Sequence, residues 1–204
     1  MSEIVVQKFG GTSVGTVDRI DSVAEIIKNA SKSNKIVVVV SAMGGETNRL
    51  VDLAKAFGDD PDKREFDALV STGETVSSTL LTMALHSKGV KAKSFSASQI
   101  SMRTTSSYSK AKILDVDAKK ILDVVDSDTI PIITGFQGVT EGGDVTTLGR
   151  GGSDTTAVAI AAQIAAIRCD IYTDVDGIFT TDPGVVPNAK KLDSITMEEM
   201  LELA

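Results

Sequence analysis

The 204-residue sequence has one cysteine, Cys169, and one histidine, His86. A single thiol cannot close an internal disulfide, which excludes a disulfide-stapled secreted module. One thiol and one imidazole also fall short of a zinc cluster. They leave little basis for Ser-His-Asp or Cys-His catalysis. Positive charge is in short supply: 21 Lys and Arg stand against 28 Asp and Glu, a net charge of -7. No basic stripe interrupts that balance, so a general nucleic-acid binder is not expected. Long apolar runs are missing as well. The uncharged stretch 155–167 is too short for a bilayer span and is rich in Ala and Thr, so no membrane segment is expected. Residues 1–8 lack a basic segment followed by an apolar run. No signal peptide is therefore expected, and the cytoplasm is the default location.

What remains is ordinary globular material, 42% hydrophobic and 24% charged, of a length that fits one domain with a sizeable core. Short β-branched runs at 4–9, 36–41, 93–95, 129–134 and 170–173 read as buried strands. Helix-period segments lie between them. In 16–30, Val17, Ile20, Val23, Ala24, Ile27 and Ala30 share one face. The stretch 65–85 is helical by pattern with an interruption at Gly73, 118–125 is a short helix, and 153–166 is a buried-looking helix with Ser153 or Asp154 as N-cap. Gly142-Gly143 suggests a hairpin turn between 138–140 and 144–147. Strand and helix in alternation imply an α/β sandwich with a mostly parallel sheet. Residues 196–204 open like an amphipathic helix and carry no Gly or Pro stop, as expected of a fragment.

In such folds ligands gather at the carboxyl ends of strands, and the candidate loops all follow strands. Lys8-Phe9-Gly10-Gly11-Thr12-Ser13 could bring backbone N–H groups and a point charge to phosphate oxygens; a plain tight turn is the alternative. It is not a Walker loop, because Gly10-x4-Gly15 is followed by Thr16 rather than Lys, and no G-x-G-x-x-G is present. Ser41 to Asn48 offers a second Gly-Gly with hydroxyls, which ordinary turn chemistry also explains. In Ser71-Thr72-Gly73-Glu74, Glu74 could pair with an ammonium or be a solvated helix glutamate. The densest signal is Thr147-Leu148-Gly149-Arg150-Gly151-Gly152-Ser153-Asp154, where Arg150 could clamp a carboxylate through two parallel hydrogen bonds. Residues 173–183 lack the spacing and closing glutamate of a calcium loop. Two anion-suited loops, a carboxylate clamp and several acids describe an enzyme holding ATP opposite a small amino acid.

Several of these segments, in this order, resemble the signature blocks of the aspartokinases within the amino-acid kinase superfamily. They are Lys8 to Val14, Val40-Ser41-Ala42-Met43, Ser71 to Glu74, Gly135-Phe136-Gln137-Gly138, Thr147 to Asp154, and Thr173-Asp174-Val175-Asp176-Gly177. The resemblance runs through essentially all 204 residues. It implies a three-layer αβα fold over 1–204, C-terminally incomplete and without an ACT regulatory domain. It implies transfer of the ATP γ-phosphoryl group to the side chain of L-aspartate, the entry to lysine, threonine and methionine, with Mg²⁺ bridging the phosphates. The full-length protein is expected to be a homo-oligomer. By position, Lys8, Phe9, Gly10 and Gly11 would hold phosphate, with Asp154 orienting Lys8 and Ser41 near the transferred group. Thr47, Glu74, Arg150, Gly151, Gly152 and Ser153 would bind aspartate. Thr173, Asp174, Phe179 and Asp182 would line the nucleotide pocket. The sequence departs from the family at Gly184, where arginine is usual, and ends before a second phosphate-contacting lysine. Weak or no turnover by these residues alone, and no feedback inhibition by lysine or threonine, are the resulting expectations.

Overall fold

The computed structural model describes residues 3–174, 177, 180–181, 186 and 188–192. They fall into two compact units, Met1–Tyr172 and Thr173–Ala204. The predicted helix at 196–204, together with Phe179, Asp182 and Gly184, lies outside the described residues.

In the first unit five strands are parallel throughout: β1 (Ile4–Phe9), β2 (Lys35–Val40), β3 (Ala92–Phe95), β6 (Ile130–Thr134) and β9 (Arg168–Tyr172). Their order across the sheet is β3-β6-β2-β1-β9. The central strands are almost pure Val and Ile because both faces are covered. Alternation along each strand divides the core. Val5, Val38, Val40 and Ile132 pack toward α1 (Val17–Ala30) and α4 (Thr72–Ser87). Val6, Val37, Val39 and Ile133 pack toward α5 (Ala118–Asp126) and α6 (Gly152–Gln163). This is the expected three-layer αβα arrangement with a parallel central sheet.

Helix α1 starts where Thr16, in extended geometry, accepts the Arg19 N–H on its side-chain oxygen. The interrupted helical stretch expected at 65–85 is two helices, α3 (Lys63–Val70) and α4, and the break falls at Ser71 rather than Gly73. Gly73 is inside α4 for a packing reason: a Cβ there would lie 2.8 Å from the Ala42 Cβ. Helix α2 (Glu46–Lys55), and the strands β4 and β5 of a second sheet ordered β5-β4-β7-β8, were not legible in the pattern. That sheet comprises β4 (Arg103–Thr104), β5 (Ile113–Asp115), β7 (Gln137–Val139) and β8 (Val145–Thr147). The β7–β8 hairpin is where Gly142-Gly143 placed it, with Gly143 at φ +88 and the Thr140 N–H donating to Asp144 O at 2.9 Å.

Helix α6 begins differently from expectation. Its N-cap is Gly151 at φ 68, not Ser153 or Asp154, and no side chain caps it. The left-handed turn that glycine adopts without cost leaves Asp154 free to point elsewhere. In the second unit, the Thr180 N–H donates to Lys190 O at 2.9 Å and the Lys190 N–H to Thr180 Oγ1 at 3.1 Å. No described helix is long and apolar enough to cross a membrane.

Candidate active site

All five strands of the central sheet run to one carboxyl edge, and the segments 8–13, 41–48, 71–74 and 147–154 meet there. The Phe9 carbonyl accepts the Ser41 N–H at 3.1 Å, and the Gly10 N–H donates to Tyr172 O at 3.1 Å. The two glycine loops lie back to back: a Cβ on Gly11 would stand 2.9 Å from the Ala42 carbonyl oxygen, and one on Gly44 3.4 Å from Gly11 O. Glycine is required here by close backbone approach. Arg19 Nη1 bonds the Thr12 carbonyl and pins the first loop to its own helix. Phe9 is fully buried and stacks on Tyr172, centroids 4.5 Å apart, so its contribution is to the core beneath the loop.

Lys8 is the cation of the site. Its side chain is only 8% exposed, yet its Nζ meets Asp154 Oδ1 at 2.8 Å. A Cβ on Gly10 would sit 3.6 Å from that amine, so the loop's lack of side chains keeps space beside it. Asp154 is half-exposed in the first turn of α6, whose positive end also faces this edge. Arg150, Gly151, Gly152 and Ser153 form the turn into the same helix. Arg150 is exposed and makes no ion pair with another described residue. Gly152 and Ser153 are buried. A Cβ on Gly152 would lie 2.8 Å from the Phe136 ring, and Ser153 abuts Gly135.

Glu74 is not a solvated helix glutamate. It is 3% exposed, its Oε1 accepts the Ala42 N–H at 3.1 Å, and its Oε2 has no partner among the described residues. Burial strips water from the carboxylate and pushes its pKa up to about 7. A buried acceptor without a donor is costly unless something brings one. Ser77 supports this corner by donating its hydroxyl to Ser41 O at 2.7 Å. Thr47 lies half-buried in the first turn of α2, after Gly45 at φ +82. Thr173 and Asp174 follow β9 directly and are exposed; they belong to the second unit, where Thr173 Oγ1 donates to Asp174 Oδ1 at 3.2 Å.

Sequence reasoning gave no role to three supporting residues. Gln137 is buried, accepts the Thr134 hydroxyl at 2.9 Å and donates to Ser71 O. Phe136 holds a left-handed φ of 66, unusual for an aromatic, with its N–H on Thr156 Oγ1 at 3.2 Å. Asp67 is completely buried. Asp67 had a readable signal, since it sits three positions before Val70 and so puts a charge on the apolar face of α3. Gln137 and Phe136 stand in a family-like block, but the sequence assigned them no role, because their partners are distant in sequence. Cys169 and His86 are structural: burial raises the Cys169 thiol to about 11, and the His86 Nε2 lies 2.8 Å from Ala92 O.

Residues 3–204 match the family described as "Amino acid kinase family". The chain is 55% identical over 202 residues to an aspartate kinase from Pseudomonas putida, covering 98% of this chain and 49% of that protein. It superposes on the aspartate kinase of Synechocystis with a TM-score of 0.81 and 46% identity, covering 97% of this chain and 33% of that one. It superposes on E. coli aspartokinase III, in complex with aspartate and ADP, with a TM-score of 0.84 and 32% identity, covering 94% of this chain and 54% of that one. The chain thus spans about half the length of the curated relatives it matches.

Proposed function

The chain belongs to the amino acid kinase family, and on that premise we propose that it is the catalytic portion of an aspartate kinase. The reaction moves the γ-phosphoryl group of ATP to the side-chain carboxylate of L-aspartate, giving 4-phospho-L-aspartate on the route to lysine, threonine and methionine. The observation that carries the reading is one sheet edge holding both a buried cation, Lys8, and a buried carboxyl with an unpartnered oxygen, Glu74. The first suits a polyphosphate and the second an ammonium. Similarity to aspartate kinases, and to a neighbour in complex with aspartate and ADP, supports the pairing of ligands.

Lys8 and the backbone of Gly10 and Gly11 hold the phosphates, and Asp154 fixes the Lys8 amine. Ser41 lies beside the transferred group. Glu74 takes the ammonium of aspartate, while Thr47, Arg150 and the Gly151-Gly152-Ser153 turn take its α-carboxylate. An oxygen of the side-chain carboxylate bonds to the γ-phosphorus as the bond from phosphorus to the β–γ bridging oxygen breaks, and ADP leaves with that electron pair. The attacking carboxylate already has a lone pair, so no protein base is needed. Like charges must be brought together, and catalysis comes from positioning and neutralisation. The described residues include no cluster of three or more His, Cys, Asp or Glu placed to hold a metal. Mg²⁺ arriving with the nucleotide would neutralise phosphate charge.

Calorimetry with ADP and with L-aspartate, followed by an ATP-dependent hydroxamate assay, tests the reading. Both ligands should bind. Binding of ADP without aspartate would point to another substrate within the family, and binding of neither would overturn the assignment. A second reading, ligand binding without turnover until the rest of a longer protein is present, is favoured by the half-length coverage. Turnover of this chain at an ordinary kinase rate would exclude it.

A further inference from the structure

Asp67 accepts four hydrogen bonds and is 0% exposed. Its Oδ2 takes the backbone N–H of Ser109 at 2.8 Å and of Thr147 at 2.7 Å. Its Oδ1 takes the hydroxyls of the same two residues, both at 2.9 Å. Four donors converging on one carboxylate from two distant segments, 42 and 80 positions away, make a rigid junction. The same helix reaches the far end of the hairpin, where Arg64 Nε pairs with Asp144 Oδ1 at 2.8 Å.

The junction has a direction. Asp67 lies on α3, one turn before Ser71, where α4 begins and carries Glu74. Thr147 is the last residue of β8, three positions before Arg150. The Ser109 carbonyl oxygen would lie 3.2 Å from a Cβ on Gly149, so the 105–112 segment abuts the same turn. We propose that Asp67 is a positioning residue that sets the Arg150 turn at a fixed distance from Glu74, and so fixes the spacing between the groups that take the α-carboxylate and the α-ammonium of a bound amino acid. The inference rests on the aspartate-binding reading above. It deepens that reading by naming what holds the amino-acid subsite at one length, while the phosphate loops hang on other bonds.

Asparagine at this position can satisfy the same set. Its Oδ1 can accept both backbone N–H groups, and its Nδ2 can donate to both hydroxyl oxygens, which can turn to accept. Alanine leaves two buried N–H groups without acceptors. The test is titration of L-aspartate and of ADP into the chain and its D67A, D67N and T147V variants, with hydrogen exchange on each. D67A should weaken aspartate by about tenfold or more through misplacement of the clamp, and leave ADP within about twofold. D67N should restore most of the aspartate affinity. Amides 147–152 should exchange faster in D67A, with those of 36–40 unchanged. Equal loss of both ligands, or retention of both, would overturn the proposal. Failure of the parent chain to bind aspartate would sink the functional reading alone. Exchange would then still decide the role of Asp67: unaltered protection at 147–152 overturns it and selective loss supports it. Should D67A not fold, T147V removes one donor at nearly constant shape, and the same split, about threefold on aspartate against none on ADP, decides the matter.

Discussion

At its amino edge the central sheet is bordered by Lys32, Lys35 and Lys91 around an open hollow of about 450 Å³. At its carboxyl edge it is bordered by Lys8, Glu74 and Asp154 beneath glycine loops packed at contact distance. Both edges offer lysines, hydroxyls and turns, and they differ in how deeply the charged groups are buried. Two of the lysines at the amino edge are partnered by surface groups, Lys32 by Asn29 Oδ1 at 2.8 Å and Lys35 by Asp126 at 2.6 Å. Water screens such pairs. At the other edge a cation and a carboxyl are both stripped of water, so each interaction with a ligand is stronger and each missing partner costlier. Desolvated charge is the difference between the two edges on which the proposed site rests.

Substitutions of equal chemistry at the two edges should separate them. The largest effect is expected from Lys8→Met, which removes the buried cation. Its hydroxamate rate should fall on the order of 10²–10³ relative to the parent chain, by analogy with other preorganised charge stabilisers. Lys35→Met at the amino edge should leave the rate unchanged, and a comparable loss there would break the contrast.

Glu74→Gln is expected to weaken aspartate by roughly 10–100-fold in calorimetry, the worth of a hydrogen bond between charged groups. The pH dependence sharpens this. The Glu74 carboxyl is raised to about 7 in the fold from an ordinary value of 4.5. Its contribution to stability is therefore complete below the unfolded value and lost as pH rises through about 7. Glu74→Gln should raise the melting temperature at pH 8 and change it little at pH 4.5. Aspartate affinity of the parent should strengthen as pH rises through the same range, because the ammonium selects the ionised form. A flat profile would remove Glu74 from the ammonium site.

Two glycine substitutions compare backbone demands. Gly73→Ala puts its Cβ 2.8 Å from that of Ala42 and should destabilise by ~1–3 kcal/mol in chemical denaturation. Gly89→Ala, at φ +76 in open space after α4, carries only conformational strain, about 1 kcal/mol. Reversal of that order would mean that packing at the carboxyl edge is looser than its distances. The smallest effect is expected from Lys32→Ala, whose aspartate and ADP affinities should stay within about twofold of the parent.

Much of this arrangement was legible in the chain. The β-branched runs gave five strands to within a residue or two, the apolar period of 16–30 gave α1, and the glycine pairs marked the loops that approach each other. Asp154 could be linked to Lys8 only through resemblance, because 146 positions separate them and no local pattern joins distant charges. The short strands β4 and β5 were invisible for a related reason: two or three residues carry no period. Gly73 was read as a helix breaker because propensity is local, whereas its real constraint is the Ala42 methyl across the packing.

Sequence by itself determined the alternation of strand and helix, the parallel buried sheet and the places where glycine is needed, since these follow from periodicity and backbone sterics within a few residues. Only tertiary structure decided which charges lose their water. Lys8, Asp67 and Glu74 are ordinary letters in the chain, and they become a buried cation, a four-donor junction and a carboxyl raised toward neutrality because elements far apart in sequence close over them.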